Sequence, residues 1–212
     1  GSGGVLQLHG QAWRHYNASI AAAVTSATVN IPARIKSIKS IFVRFCKSAV
    51  AQQLYNVGVG QKQDITQWQF KVGSVLYPAS AVQCQNTGVN DAAGAGTGTG
   101  SAETFAELQK ALGKLGSTAH GTQCCAENFC EDGVNDGGDG PGGVIGMFTI
   151  GYDFEAFQKS ALESGINTAD RSLPITLELT SDAFTSACRV DTYVLCDAIF
   201  YVNMDGTMSV SV

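Results

Sequence analysis

Alternation of apolar and polar side chains recurs along this chain and predicts strands. Over residues 65–76, Trp68, Phe70, Val72 and Leu76 share one parity, while Gln67, Gln69 and Lys71 hold the other. That period of two describes a strand with one wet face. Residues 174–180 repeat it, with Ile175, Leu177 and Leu179 inward and Thr176, Glu178 and Thr180 outward. From Thr207 onward, Met208, Val210 and Val212 oppose Thr207, Ser209 and Ser211. The runs 35–45 and 192–202 are apolar on both parities, so they read as central strands covered on two faces or lying at an interface. Asp205-Gly206 is a tight-turn signal between the second run and the tail. Weaker strands are expected at 5–8, 24–31 and 145–150. The sum is about eight antiparallel strands, the number a jelly-roll β-sandwich needs.

Two short helices interrupt the strands. Ser101 is placed to cap a helix reaching about Leu115, with Phe105, Leu108, Leu112 and Leu115 near one face. Asp153 is placed to cap a second, from Phe154 to Leu162, ended by Gly165, with Phe154, Phe157 and Ala161 as its stripe. Between them lie the low-complexity run Gly94–Gly100 and a long Gly-, Cys- and Asp-rich loop at 116–143. The expected organisation is an N-terminal arm or linker with a short strand at 1–23, then a single jelly-roll domain at 24–212. Trp13 and Tyr16 in the arm are assigned to the core rather than to a neighbour.

Composition narrows the function. Thirteen basic residues against eighteen acidic ones give a net charge of −5, which argues against a nucleic-acid-binding surface or a polybasic membrane anchor. No apolar run is long enough to span a bilayer. The start Gly1-Ser2-Gly3-Gly4 lacks an initiator Met and reads as a tag remnant, a cleavage product or a partial chain, so a longer parent protein is expected. Seven cysteines do not make a complete disulfide framework. Cys46 and Cys196 lie within strand-like runs and read as buried free thiols, which suits folding in a reducing compartment.

Candidate chemistry is confined to the long loop. Cys124, Cys125 and Cys130, with His120 nearby, offer thiolate and imidazole ligands, but no second pair completes a zinc site. A disulfide joining Cys130 to Cys124 or Cys125, or unpaired thiols, are the readings kept. Asp132, Asn135, Asp136 and Asp139 supply oxygen ligands at short spacing, but their register does not match a calcium loop. Asp132, Asp136 and Asp139 are therefore only weak metal candidates, and no cofactor is expected. No nucleophile elbow, zincin motif or P-loop is present, so no catalytic residue is assigned and the protein is read as non-enzymatic. Glu103 and Glu107 are spaced as a solvated helix face.

Several segments, in order, resemble one family. Ile31-Pro32-Ala33-Arg34-Ile35-Lys36-Ser37-Ile38-Lys39-Ser40-Ile41-Phe42 resembles the basic, Ser-rich strand of double jelly-roll major capsid proteins. Trp68-Gln69-Phe70-Lys71-Val72-Gly73-Ser74 followed by Tyr77-Pro78 resembles a strand ending of the same proteins in polinton-like viruses and virophages. Ala102-Glu103-Thr104-Phe105-Ala106-Glu107-Leu108 resembles their helix, and Ser164-Gly165-Ile166-Asn167-Thr168 their turn before a strand. Residues 197–212 are similar to their closing strand pair. The resemblance implies the C-terminal of two jelly rolls, in a virion protein assembled inside the host cell. It further implies trimers with pseudo-hexagonal outlines that tile an icosahedral shell. The implied partners are copies of itself, neighbouring capsomers, the absent N-terminal jelly roll, and penton or minor capsid proteins. The acidic loop then becomes an outward tower. The competing expectation is a jelly-roll lectin or adhesin, binding carbohydrate or calcium through residues 124–139.

Overall fold

The computed structural model describes residues 4–47, 62–84, 102–113, 129, 148–155, 165–170, 173–182, 184 and 187–212. Among them are nine strands and one helix: β1 (Val5–Ile20), β2 (Ser26–Ile31), β3 (Ile38–Lys47), β4 (Ile65–Val72), β5 (Val75–Gln83), α1 (Ala102–Ala111), β6 (Thr149–Asp153), β7 (Ile175–Ser181), β8 (Cys188–Asn203) and β9 (Met208–Ser211). One sheet runs β1-β8-β3-β6, with β9 added to β8; the other runs β2-β7-β4-β5. Every pairing is antiparallel. First strand beside eighth, second beside seventh, third beside sixth and fourth beside fifth is the order of an antiparallel ribbon rolled into a sandwich. This is a jelly roll.

The alternation predicted in β7 is what the sandwich uses. Ile175, Leu177 and Leu179 are buried and Glu178 is exposed. Trp68, Phe70 and Val72 bury the matching face of β4. Across the interior they meet Ile41, Val43, Phe45, Val190 and Val194 from the other sheet. At one side of this core Trp68, Phe70, Tyr77, Tyr152 and Phe154 pack as an aromatic cluster, with ring centroids as close as 4.8 Å. Tilted and edge-on contacts of this kind stabilise beyond simple burial.

Several expectations are corrected. The run 65–76 is two strands, not one. Gly73 takes φ +60°, and Val72 pairs with Val75 across a two-residue turn. The chain therefore reverses at Gly73-Ser74, and Leu76 faces solvent on β5 instead of the core. The segment expected to be an arm with a short strand is the sixteen-residue β1, paired with β8 along its whole length. Trp13 is 58% exposed on the outer sheet face, so the core assignment fails for it, while Tyr16 packs half-buried against the core. The tail turns at Asp205-Gly206 as predicted, with Gly206 at φ +81° and the Asn203 amide donating to the Thr207 carbonyl. Its apolar parity is covered only at Val212, which packs against the core, while Met208 and Val210 stay 68% and 52% exposed.

Helix α1 is shorter than expected. It stops at Ala111, and Gly113 follows at φ +65°. Its buried residues are Thr104, Leu108 and Ala111, whereas Leu112 faces solvent. The second expected helix lies at 154–162. Phe154 and Glu155 are not helical, and the remainder lies outside the described residues. So do Leu115, the Gly94–Gly100 run and nearly all of the loop 116–143, of which Phe129 is described and buried.

Two glycines mark close approaches. A Cβ on Gly151 would come within 2.7 Å of Leu108, so helix α1 can rest on β6 only if that position is bare. A Cβ on Gly165 would lie 2.2 Å from the Ile38 carbonyl oxygen. The bare position lets Ile166 bridge to Ile38 through two backbone hydrogen bonds of 2.9 Å. Replacing Gly165 with Ala should break this bridge and lower stability by about 2 kcal/mol, the usual scale for a forced backbone shift. Denaturant unfolding reads the loss, and an unchanged midpoint would refute this account of the contact.

The described cysteines, Cys46, Cys84, Cys188 and Cys196, are free thiols, and all but Cys46 are fully buried. Burial, helped by the neighbouring Cys46 sulfur, pushes the Cys188 thiol up to about 11. Burial likewise raises Cys196. Since the thiolate is the reactive form, maleimide at pH 7.5 should leave both unmodified in the native protein and label both after unfolding. Rapid native labelling followed by mass spectrometry would contradict this.

Candidate assembly surface

The outer face of the β1-β8-β3 sheet collects the odd residues of β1 and β8. Register places Trp13 beside Leu195 and His15 beside Tyr193, with Phe42 of β3 on the other side of Tyr193. The Trp13 and Phe42 rings lie 5.7 Å apart, and the His15 and Tyr193 rings 4.9 Å apart. Helix α1 covers this face near β6, where the Ser40 hydroxyl donates to the Ala111 carbonyl. Toward β1 it stays open, with Trp13 and Tyr193 both exposed. Below the aromatics, the buried Asp191 carboxylate takes Arg189 on one oxygen at 2.8 Å and His15 on the other at 3.0 Å. Together these make an exposed, partly apolar strip backed by a buried carboxylate.

The same face hides a charged cluster at the end where β3 begins. Lys39 is almost wholly buried, and its ammonium lies 2.7 Å from Glu155 and 3.4 Å from Asp197. Asp197 also accepts from the Ser37 hydroxyl at 2.6 Å, and that hydroxyl accepts from the Gly165 amide. Thr168 fastens the neighbouring turn, donating to the carbonyls of Ala33 and Ile35. The Ser-rich strand, the Ser-Gly-Ile-Asn-Thr turn and the closing strand thus meet at one place, though each is remote in sequence. Burial opposes the charge on Lys39, but the bond to Glu155 and the charge of Asp197 outweigh it and raise its pKa above the ordinary 10.5. A raised lysine pKa contributes stability that is complete below that ordinary value and is lost only as pH climbs through the folded one.

The helix face that resembles a family motif is positional as well. The Trp68 indole donates to the Thr104 hydroxyl at 2.9 Å, and the Cys84 sulfur lies 2.8 Å from that same oxygen. Glu103 accepts from the Gln83 amide, and Glu107 pairs with Lys110, so neither is simply a solvated carboxylate. The sequence hid Thr104, since a buried threonine on an amphipathic helix has no periodic signal of its own.

The two ends of the roll differ. The connections leaving β3 at Lys47 and β5 at Gln83 open at the end where Cys188 meets Ile20 and Lys47. At the other end β1, β8 and β9 project as a three-stranded shelf. Its core-side parity carries Leu6, Leu8, Phe200, Val202, Met208 and Val210, of which Leu6, Leu8, Met208 and Val210 are exposed. Cys124, Cys125, Cys130, His120, Asp132, Asn135, Asp136 and Asp139 lie outside the described residues. Among the described residues no group of three or more His, Cys, Asp or Glu could hold a metal ion, and no helix is long and apolar enough to cross a membrane.

No protein-family model matches the sequence, and no curated protein matches it either. Solved structures do match in shape. PBCV-1 VP54, as fitted into a cryo-EM reconstruction of the virophage Sputnik, aligns over 98% of this chain and 52% of its own, with TM-score 0.52 and 11% identity. A quasi-atomic model of the PBCV-1 virus capsid aligns over the same shares, with TM-score 0.52 and 9% identity. The fold is that of a viral-capsid jelly roll. The mavirus major capsid protein aligns over 98% of this chain and 41% of its own, with TM-score 0.50 and 9% identity. The chain thus spans about half the length, or less, of the solved capsid proteins it matches. Within this capsid-type roll the buried lysine cluster makes a direct prediction. Lys39→Met leaves two buried carboxylates facing an apolar side chain, and should cost about 3 kcal/mol of stability at pH 7. Urea unfolding measures it, and a neutral or stabilised variant would show that the cluster is not held as described.

Proposed function

We propose that this chain is a structural lobe of a viral major capsid protein, with no catalytic role, residing in the capsid of the virion. One observation carries the reading: the complete jelly-roll strand order matches capsid proteins over 98% of the chain. The physical demands of a shell agree with it. A shell subunit needs rigid sheets and broad lateral contacts, and standard protein interfaces bury aromatic-centred patches. The strip at Trp13, Leu195 and Tyr193 is of that character, and so is the apolar shelf at Leu6 and Met208. The finer reading is a trimer with a pseudo-hexagonal outline, tiling an icosahedral shell. Its contacts are neighbouring copies, a second jelly roll and penton or minor capsid proteins. The Gly-rich, acidic loop 116–143 is read as the outward tower, where sequence is free to vary.

Light scattering and electron microscopy of the full-length protein test this. Trimers or shell-like particles are expected, and Trp13→Ser should shift them toward smaller species without changing the melting temperature by more than a few degrees. A strictly monomeric full-length protein at all concentrations, with no particles in micrographs, would overturn the proposal.

A further inference from the structure

The register of β3 against β8 shifts at Lys39. Ile38 pairs with Cys196 and Ser40 with Leu195, so Lys39 is the extra residue of a bulge. A bulge re-aims a side chain. Here the Lys39 ammonium stands 3.4 Å from Oδ1 of Asp197 on β8 and 2.7 Å from Glu155 after β6. Backbone bonds fix both flanks: the Phe154 amide donates to the Lys39 carbonyl at 2.7 Å, and the Asp197 amide to the Ser37 carbonyl at 3.1 Å. The side chains of Lys39, Glu155 and Asp197 are only 9%, 11% and 7% exposed, so little water reaches them. The two oxygens of Asp197 have different surroundings. Oδ1 faces the ammonium, whereas Oδ2 accepts from the Ser37 hydroxyl at 2.6 Å, itself bonded by the Gly165 amide. An amine, a carboxyl carbon polarised by a hydroxyl, and a second carboxylate on the amine are the parts of a condensation.

We infer that Lys39 and Asp197 join in an isopeptide bond within the folded chain, with Glu155 relaying the protons. Both carboxylates touch the same ammonium, so no proton has to cross solvent. Glu155 takes one ammonium proton and passes it to Oδ1 of Asp197, leaving a neutral amine against a neutral carboxylic acid. The Nζ lone pair bonds to Cγ, and negative charge gathers on Oδ2, where the Ser37 hydroxyl donates to it. Glu155 then takes a second proton from the nitrogen and delivers it to Oδ1. Oδ1 leaves as water with the electron pair of its bond to Cγ. Two of the three ammonium protons depart in that water, one stays on the amide, and Glu155 regains its carboxylate. No oxidant or reductant is needed. A recess of about 140 Å³ bordered by Ser37 and Asp197 receives the water. Burial drives the reaction, because three charges held away from water are costly and condensation removes two of them. The resting cluster favours the ammonium form, so the first proton transfer sets the pace and the bond accumulates after folding. The inference rests on this cluster and not on the capsid reading.

Intact-mass spectrometry of the full chain, taken fresh and after a week at 37 °C, tests this. The aged protein should weigh one water less than its sequence. Trypsin should then release residues 37–44, uncut at Lys39, joined to residues 190–212. Water lost instead by ring closure at Asp205-Gly206 would leave 37–39 and 40–44 as separate peptides, and that result counts against the bond. Glu155→Gln keeps both reacting groups and should slow formation at least about a hundredfold, the scale of a general acid–base contribution. Lys39→Arg should keep the full mass. Glu107→Gln, on helix α1, should lose water like the parent. A full sequence mass in the aged parent, with Lys39 cut by trypsin, would overturn the inference. A bond that forms equally fast in Glu155→Gln would overturn the relay.

Discussion

Strand β8 is hydrogen-bonded on both sides, to β1 along its whole length and to β3 and then β9 along the other edge. Every strand of the larger sheet except β6 takes its register from it, and β6 takes its own from β3. The constraint propagates outward in chemistry too. Because β8 is central, its inner parity must be apolar, and Val190, Val194, Cys196 and Ala198 are buried. Its outer parity must find other partners, and it does so in graded fashion: Arg189 and Asp191 in an ion pair, Tyr193 and Leu195 among aromatics, Asp197 with Lys39. The exposed aromatic strip and the buried charge cluster are consecutive parts of one strand face.

That arrangement explains which features could be read from the sequence. The alternation of β7 and of residues 65–72 states which side chains share a face, and the sandwich buries that face. The doubly apolar runs around β3 and β8 state that both faces are covered or contacted, and both strands are central. Gly206 and its turn were legible because few residues tolerate the conformation required there. The resemblance carried in short ordered segments also agrees with the strand order, though at 9–11% identity that agreement concerns the fold alone.

What stayed hidden has physical reasons. β1 has polar residues on both parities over Arg14 to Asn17, since an edge strand with one open face is not forced to alternate cleanly. Alternation in β9 reveals an apolar face but not whether anything covers it, and here Met208 and Val210 stay exposed. The turn at Gly73 was masked because the residues on either side keep the same parity across it. The ion partners of Lys39, finally, stand 116 and 158 positions away, and no local pattern carries that information.

The pairing of Val5 with Asn203 carries a consequence for how the molecule comes to be. The first strand of the chain has no place in the sheet until almost the last strand exists. Nearly every pairing in the larger sheet joins distant parts of the sequence, and such topologies close slowly because the loop entropy is spent before the contacts form. The β1 edge and the apolar shelf therefore remain bare until β8 has been made, when unpaired strands are most prone to wrong partners. Until β8 has emerged, a nascent chain holds this fold only in fragments. The roll closes only then, and any association through its outer face must wait for it.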